Sequence, residues 1–359
     1  MRSKAYRSKE PEIDTLHTQI HQLIVEQIPE ALDAFLDLAK DRRELVKRIG
    51  GKIRAVDVKK LDGGAVANLT ITGTDGGGDS KELEGSFFGI VSAIAYTSRG
   101  PQEEDKTPIA SSDLLIWDEE FEAGKRAAVI RDRIMYQVAK RAVEGRRPDL
   151  LLIDGPLIPN FRYLPDTYDS VDYKKDFRAM MDALTALLNL SQKEFDERGM
   201  LIAGVVKRVR STRYSKILEL EKEIRDSALL NPILAPGQRT EPIDAPPSRM
   251  LNLFPEAHRA VKQFFLKASR FSPIRVEIPG WLADKIGDIA SAIYSTADPL
   301  TGVPFHILRA DILTRINIPV TDLTYNRFIS RVMDKVKAGE MSESDLDLAR
   351  LRRLEPWRL

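Results

Sequence analysis

Residues 150–159 read LLLIDGPLIP. Four consecutive apolar side chains bounded by turn residues have the length and composition of a strand buried on both faces. The run ends on Asp154. A buried unpaired carboxylate is costly, so Asp154 either caps a turn or meets something cationic. A second apolar stretch, ITGTDGG (71–77), reaches Asp75 in the same way. Asp-Gly is a common turn dipeptide, so each one taken singly is explained by a strand ending. Taken together they raise a second reading. If the two strands are neighbours, two like charges lie side by side and need a proton or a metal ion. A glycine after each Asp lets backbone and substrate approach closely.

The order of elements makes the strands neighbours. KIRAVDV (52–58), NLTITGT (68–74), SFFGIVSAIAYTS (86–98) and DLLIWDE (113–119) read as strands, with LDGGA and DGGGDS (75–80) as turns between them. A helical pattern follows from about Phe121 to Glu144, then strand 150–153, a loop over 159–174, a helix over 175–198 and an apolar strand over 200–209. Antiparallel strands followed by a helical crossover into a parallel one predict an α/β, ribonuclease H-like core, a mixed central sheet flanked by helices. In that arrangement strand 69–74 is central and lies beside 150–153.

Around this core, Ile13 to Ile49 carries helical periodicity interrupted at Pro29 and stopped by Gly50-Gly51. The C-terminal third is an α+β extension. It has a Pro-rich loop at 231–249, strands within 264–279, helices at 281–297 and 304–318, and a charged helical tail from 326. The expected organisation is therefore an N-terminal helical region (1–50), a ribonuclease H-like core (51–230) and a C-terminal part (231–359).

Composition narrows the chemistry. The 359 residues carry a net charge of +1, so a nucleic-acid surface has to be local. There is no cysteine, which excludes disulfides, thiolate zinc sites and a Cys nucleophile. Of the four histidines only His17 and His21 form an HxxxH pair, in the N-terminal helical stretch and apart from the Asp-Gly strands, and none forms HxH. A metal bound at those strands would be held by carboxylates, which favours Mn²⁺ or Mg²⁺. The first residues, MRSKAYRSKEPEID, lack the apolar core of a signal peptide, and no stretch approaches a membrane span of roughly 20 apolar residues. A cytoplasmic location is expected.

These segments resemble, in order, the NurA nucleases, partners of the HerA hexameric translocase. ITGTDGGGDSKELEGSFFGIVSAIAY (71–96) and LLLIDGPLIP are similar to the family's two Asp-Gly motifs. GVVKRVRSTRYSK (204–216) is similar to its Lys-bearing strand end. RDSALLNPILAPGQRTEP (225–242), PIRVEIPGW (273–281) and GVPFHILRADILTRI (302–316) match later motifs. The resemblance implies a homodimeric, Mn²⁺-dependent DNA nuclease acting on single strands and duplex ends with a HerA-type ATPase, in DNA end processing, repair or antiviral defence. It makes Asp75 and Asp154 metal ligands and Lys207 a phosphate or transition-state contact. Two positions depart from the family. The crossover-helix Glu is matched by Gln137, with Asp132, Glu119, Glu120 or Glu122 as possible substitutes. The family's C-terminal Ala-His pair reads Ala310-Asp311, which makes Asp311 a candidate metal ligand. Gln137 leaves open a second reading, a weakened nuclease fold kept as a DNA-binding or assembly subunit.

The segment KRVRSTRYSK supplies candidate DNA contacts: Lys207, Arg208, Arg210, Arg213 and Lys216. Phe161, Arg162 and Tyr163 lie in the loop after Asp154 and could stack on a splayed base. No Walker-type GxxxxGK[ST] occurs, so ATP-driven movement would come from a partner.

Overall fold

The computed structural model describes residues 18–20, 23–100, 105–118, 123–316 and 318–351. The chain divides into two compact units, Met1–Arg54 and Ala55–Leu359. In the first, α1 (Ile28–Ile49) has Pro29 in its first turn, where a missing N–H costs no intrahelical bond. A π-helical turn, Leu23–Gln27, directly precedes it.

The second unit runs β1 (Ala55–Asp57), α2 (Gly63–Asn68), β2 (Thr70–Glu82), β3 (Ser86–Arg99), β4 (Ile109–Asp118), α3 (Ala123–Arg146), β5 (Leu150–Asp154), α4 (Val171–Arg198) and β6 (Leu201–Val206). It continues through α5 (Arg213–Ile217), α6 (Asp226–Leu230), β7 (Gln238–Thr240), β8 (Ile243–Asp244), β9 (Val261–Lys267), β10 (Ile274–Pro279), α7 (Ile286–Thr296), α8 (Phe305–Thr314), α9 (Ile318–Lys337) and α10 (Glu343–Leu348). One sheet takes all ten strands, in the order β1-β7-β9-β10-β6-β5-β2-β3-β4, with β8 paired to β9. Strands β2, β5 and β6 are mutually parallel, and the other pairs are antiparallel. This is the expected mixed sheet of the ribonuclease H-like core, with β2 beside β5. Residues 231–359 add four strands, β7 to β10, to the same sheet.

Leu150, Leu151, Leu152 and Ile153 are fully buried, each contributing roughly 1.5–3 kcal/mol relative to exposure. Helices α3 and α4 pack against each other, and α3 also lies on β2 and β3. The interior of α3 is apolar where it meets the sheet, at Ile130, Ile134, Val138 and Ala142. Ser170 caps α4 by accepting from the Tyr173 N–H, and Gly199 ends it in the left-handed conformation.

The structure corrects two local expectations. The stretch 75–80 is not a turn, because β2 runs on to Glu82, paired with β3 throughout. The chain reverses only at residues 83–85. LDGGA does not join a hairpin: α2 occupies it, with Asp62 accepting from the Ala65 N–H at 2.7 Å. Accordingly β1 pairs with β7 at the far edge of the sheet.

The spacing of glycines explains how so Gly-rich a strand persists. Alternate residues of β2 face one side. A Cβ at Gly73 would stand 2.3 Å from the His306 carbonyl carbon, and one at Gly77 would stand 2.3 Å from the Thr314 carbonyl oxygen. Helix α8 therefore rests backbone-on-backbone along this face of β2. Between those glycines, on the same face, is Asp75.

Candidate metal and nuclease site

Pairing of Thr74 with Ile153 places Asp75 and Asp154 next to each other at the edge where the parallel strands point. Helix α8 crosses above them and brings Asp311. One carboxylate oxygen from each of Asp75, Asp154 and Asp311 lies within 4.8 Å of the others. Among the described residues this is the one group of three or more such ligands.

Each carboxylate is held differently. Asp75 accepts from the Gly76 N–H at 2.7 Å and from the Thr314 hydroxyl at 3.0 Å. Asp154 accepts from the Lys207 ammonium at 2.6 Å, and Lys207 also bonds Asp311 at 3.2 Å. Asp311 further takes the Arg315 guanidinium at 2.7 Å. Burial, reinforced by the neighbouring Asp75 charge and opposed by Lys207, pushes Asp154 up to about 7. Burial disfavours the Lys207 ammonium, but Asp154 and Asp311 outweigh it and hold Lys207 above its ordinary value. Burial also works against ionised Asp311, yet Arg315 and Lys207 keep its carboxyl below the usual range. The three acids thus enclose a place where positive charge is favourable, and the chain's own ammonium already lies against two of them. The donors are all hard oxygens, a set suited to Mg²⁺ or Mn²⁺.

Gln137 is not part of this group. It is exposed on α3, whereas Tyr136 and Val138 on either side are buried. The acid that α3 sends toward the site is Asp132, five residues earlier and about 140° round the helix at 100° per residue. Burial holds the Asp132 carboxyl above its ordinary value, against the opposing pull of Arg131 and of a hydrogen bond with Tyr163. Arg131 bonds Asp132 at 2.7 Å, and both feel the charge of Asp75. Glu119, Glu120 and Glu122 lie outside the described residues.

The proposed DNA contacts separate into engaged and free groups. Tyr163 is bound to Asp132, and burial with that neighbour pushes its phenol up to about 12, so it is not presented for stacking. Phe161, two residues before it, is 67% exposed. Arg162, Arg208 and Arg210 are exposed. Lys216 pairs with Glu223, Arg213 is half-buried and Tyr214 is buried. The basic segment is anchored by Asp226, whose carboxylate accepts from the N–H groups of Arg213 (3.0 Å) and Tyr214 (2.7 Å).

Sequence reasoning missed two supporting residues. Glu277 on β10 is 1% exposed. It accepts from the Leu157 N–H at 3.0 Å, from Gln263 at 2.9 Å and from Arg275 at 3.0 Å. It therefore fastens the loop that leaves Asp154. Its one signal was a lone acid inside the apolar run IRVEIP. Thr314, which orients Asp75, lies one turn after Asp311 and carried no signal of its own.

A sequence profile of the NurA domain matches residues 69–316. The chain belongs to the NurA family. Its fold agrees with that membership. The crystal structure of the NurA nuclease from Sulfolobus solfataricus is similar at a TM-score of 0.64 and 15% identity, covering 89% of this chain and 99% of that one. A second NurA crystal structure is similar at a TM-score of 0.52 and 11% identity, covering 89% and 100%. A search of curated proteins by sequence found no match. NurA is a nuclease family, and the acidic cluster lies on elements inside the matched span, β2, β5 and α8. Among the described residues no helix is long and apolar enough to cross a membrane.

Proposed function

We propose that this NurA protein is a divalent-metal-dependent deoxyribonuclease. The observation that carries the reading is the convergence of Asp75, Asp154 and Asp311 within 4.8 Å at one sheet edge, beside Lys207. These three carboxylates would hold Mn²⁺ or Mg²⁺. Such an ion, when bound, activates water and stabilises the leaving oxygen of a phosphodiester. The chain's own groups set the rest. Gly76 N–H and the Thr314 hydroxyl fix the Asp75 carboxylate, leaving it lone pairs for a cation. Lys207, released from Asp154 and Asp311 by a cation bound there, would turn its ammonium to a phosphate oxygen and offset charge that grows in the transition state. Asp132, neutralised by Arg131, holds Tyr163 and with it the loop after Asp154.

Family membership extends the proposal to a homodimer working on single strands and duplex ends with a HerA-type hexameric ATPase, in DNA end repair or antiviral defence, in the cytoplasm. The alternative of a weakened site was grounded in Gln137, and an exposed residue on the outer face of α3 lends it no support.

The test is cleavage of end-labelled linear and single-stranded DNA in Mn²⁺, in Mg²⁺ and in EDTA, with and without the translocase. Asp154→Asn is expected to lower the metal-dependent rate by about 10³-fold or more, the equivalent of several kcal/mol of transition-state stabilisation. Equal cleavage by wild type and variant, or cleavage that persists in EDTA, would sink the proposal.

A further inference from the structure

The loop that leaves Asp154 is firmly held, yet it leaves two large aromatic rings in solvent. Its backbone is tied at several points. Asn160 accepts from the Arg162 N–H at 3.0 Å, and Asp166 accepts from the Tyr168 N–H at 2.8 Å. Asp169 accepts from the Asp166 N–H at 2.8 Å and pairs with Lys125 at 2.9 Å, in a bridge whose side chains are 6% and 11% exposed. The Tyr173 hydroxyl donates to the Tyr163 carbonyl at 2.6 Å. In this anchored loop Phe161 is 67% exposed and Tyr168 is 88% exposed. Single exposed apolar residues are ordinary. Here they stand with cations that have no ion pair among the described residues. Arg162 is on the loop, and Lys174, Lys175 and Arg178 line an open groove along the first turns of α4. The acids of this surface are few and partly engaged: Asp172 faces Arg126 at 3.8 Å, and Asp182 lies at the end of the groove. Since β5 and β6 are parallel, the connecting α4 starts at the strand edge that carries Asp154. The loop and the start of α4 therefore lie at the sheet edge that carries the carboxylates, on the side of α3, against which α4 packs, and opposite α8.

We propose that Phe161 and Tyr168 are stacking positions of a single-stranded DNA platform whose phosphates run along Arg162, Lys174, Lys175 and Arg178 toward the carboxylates. The proposal rests on the nuclease reading above and names the form of DNA that this flank receives. A ring can stack only on a base that is free of its partner strand, whereas the cations attract any phosphate backbone. The rigid loop means that little ordering is required when a base docks.

The experiment is fluorescence anisotropy with the full chain in EDTA, so that binding is read without cleavage. The probes are a labelled oligo(dT) and a labelled blunt duplex of equal length. Phe161→Ala/Tyr168→Ala should weaken oligo(dT) binding by about tenfold or more while duplex binding stays unchanged. Phe161→Trp/Tyr168→Trp should restore it. Lys175→Ala/Arg178→Ala should weaken both probes and flatten the salt dependence of each. If the aromatic double variant binds oligo(dT) as wild type does, or loses both probes equally, the platform is wrong. Wild type that binds oligo(dT) in this way but cuts nothing in Mn²⁺ or Mg²⁺, with or without the translocase, would sink the nuclease reading and leave the platform standing. Cutting by a double variant with unaltered binding would do the reverse.

Discussion

Asp75-Gly76 and Asp154-Gly155 are the same dipeptide on neighbouring strands, and they are built for different reasons. At Asp154 the strand ends. Gly155 has φ +111°, a conformation closed to other residues without strain, and the loop beyond it is clamped by Glu277. At Asp75 the strand continues for seven more residues. Gly76 keeps an extended backbone, and its missing Cβ leaves room for the Arg131 side chain, whose Cγ would be 3.0 Å away. One carboxylate is placed by a turn, the other by two helices pressed on opposite faces of a strand. A short motif therefore states where a carboxylate sits in the chain, and its neighbours determine what holds it.

The comparison can be broken most forcefully on the Asp75 side. Gly73→Ala would drive a methyl into the backbone of α8, which cannot yield as a flexible side chain does. A loss of about 3 kcal/mol or more in unfolding free energy is expected, with cleavage falling as Asp311 and Thr314 shift. Denaturant unfolding checks it, and a loss under about 1 kcal/mol would mean that α8 is not seated as described.

Acid tests the same helix. His306 is fully buried with its Nε2 against Ser98 Oγ at 2.9 Å, and burial holds its pKa down to about 4. In the unfolded chain it is near 6.5, so the fold favours the neutral ring. That contribution is fully present above about pH 6.5 and is lost as pH falls toward 4, about 3 kcal/mol in all. Stability measured from pH 7 to pH 4.5 should decline less steeply in His306→Gln; equal slopes would contradict the assignment.

On the Asp154 side, Gly155→Ala should cost about 1–3 kcal/mol through its positive φ. Gly76→Ala should cost about 1 kcal/mol or less, because the Arg131 side chain can move aside. Reversal of that ranking would mean that the two dipeptides had been assigned each other's role. The smallest contrast is on α3. Asp132→Asn should lower cleavage by about 10- to 100-fold, as for residues that position ligands. Gln137→Glu should leave it within about twofold, as for an exposed substitution.

Much was determined by the sequence alone. The apolar run LLLI, the helical period between 121 and 144 and the order of elements were enough to place β2 beside β5, because a buried parallel strand and a right-handed crossover leave few alternatives. Asp75, Asp154, Lys207 and Asp311 were all named from it, and the fold brings them together. What it could not determine were contacts made across the chain. The three glycines of 76–78 read as a turn because local propensity cannot register a helix lying on the strand. Gln137 read as a site residue because it was matched to the family's Glu on the crossover helix, whereas the side of that helix that faces the site is decided by packing. Glu277 and Thr314 serve Asp154 and Asp75 from more than 100 residues away, at β10 and α8. Such pairings are decided by which backbones approach closely enough to leave no room for a Cβ, a property of tertiary structure that no local window contains.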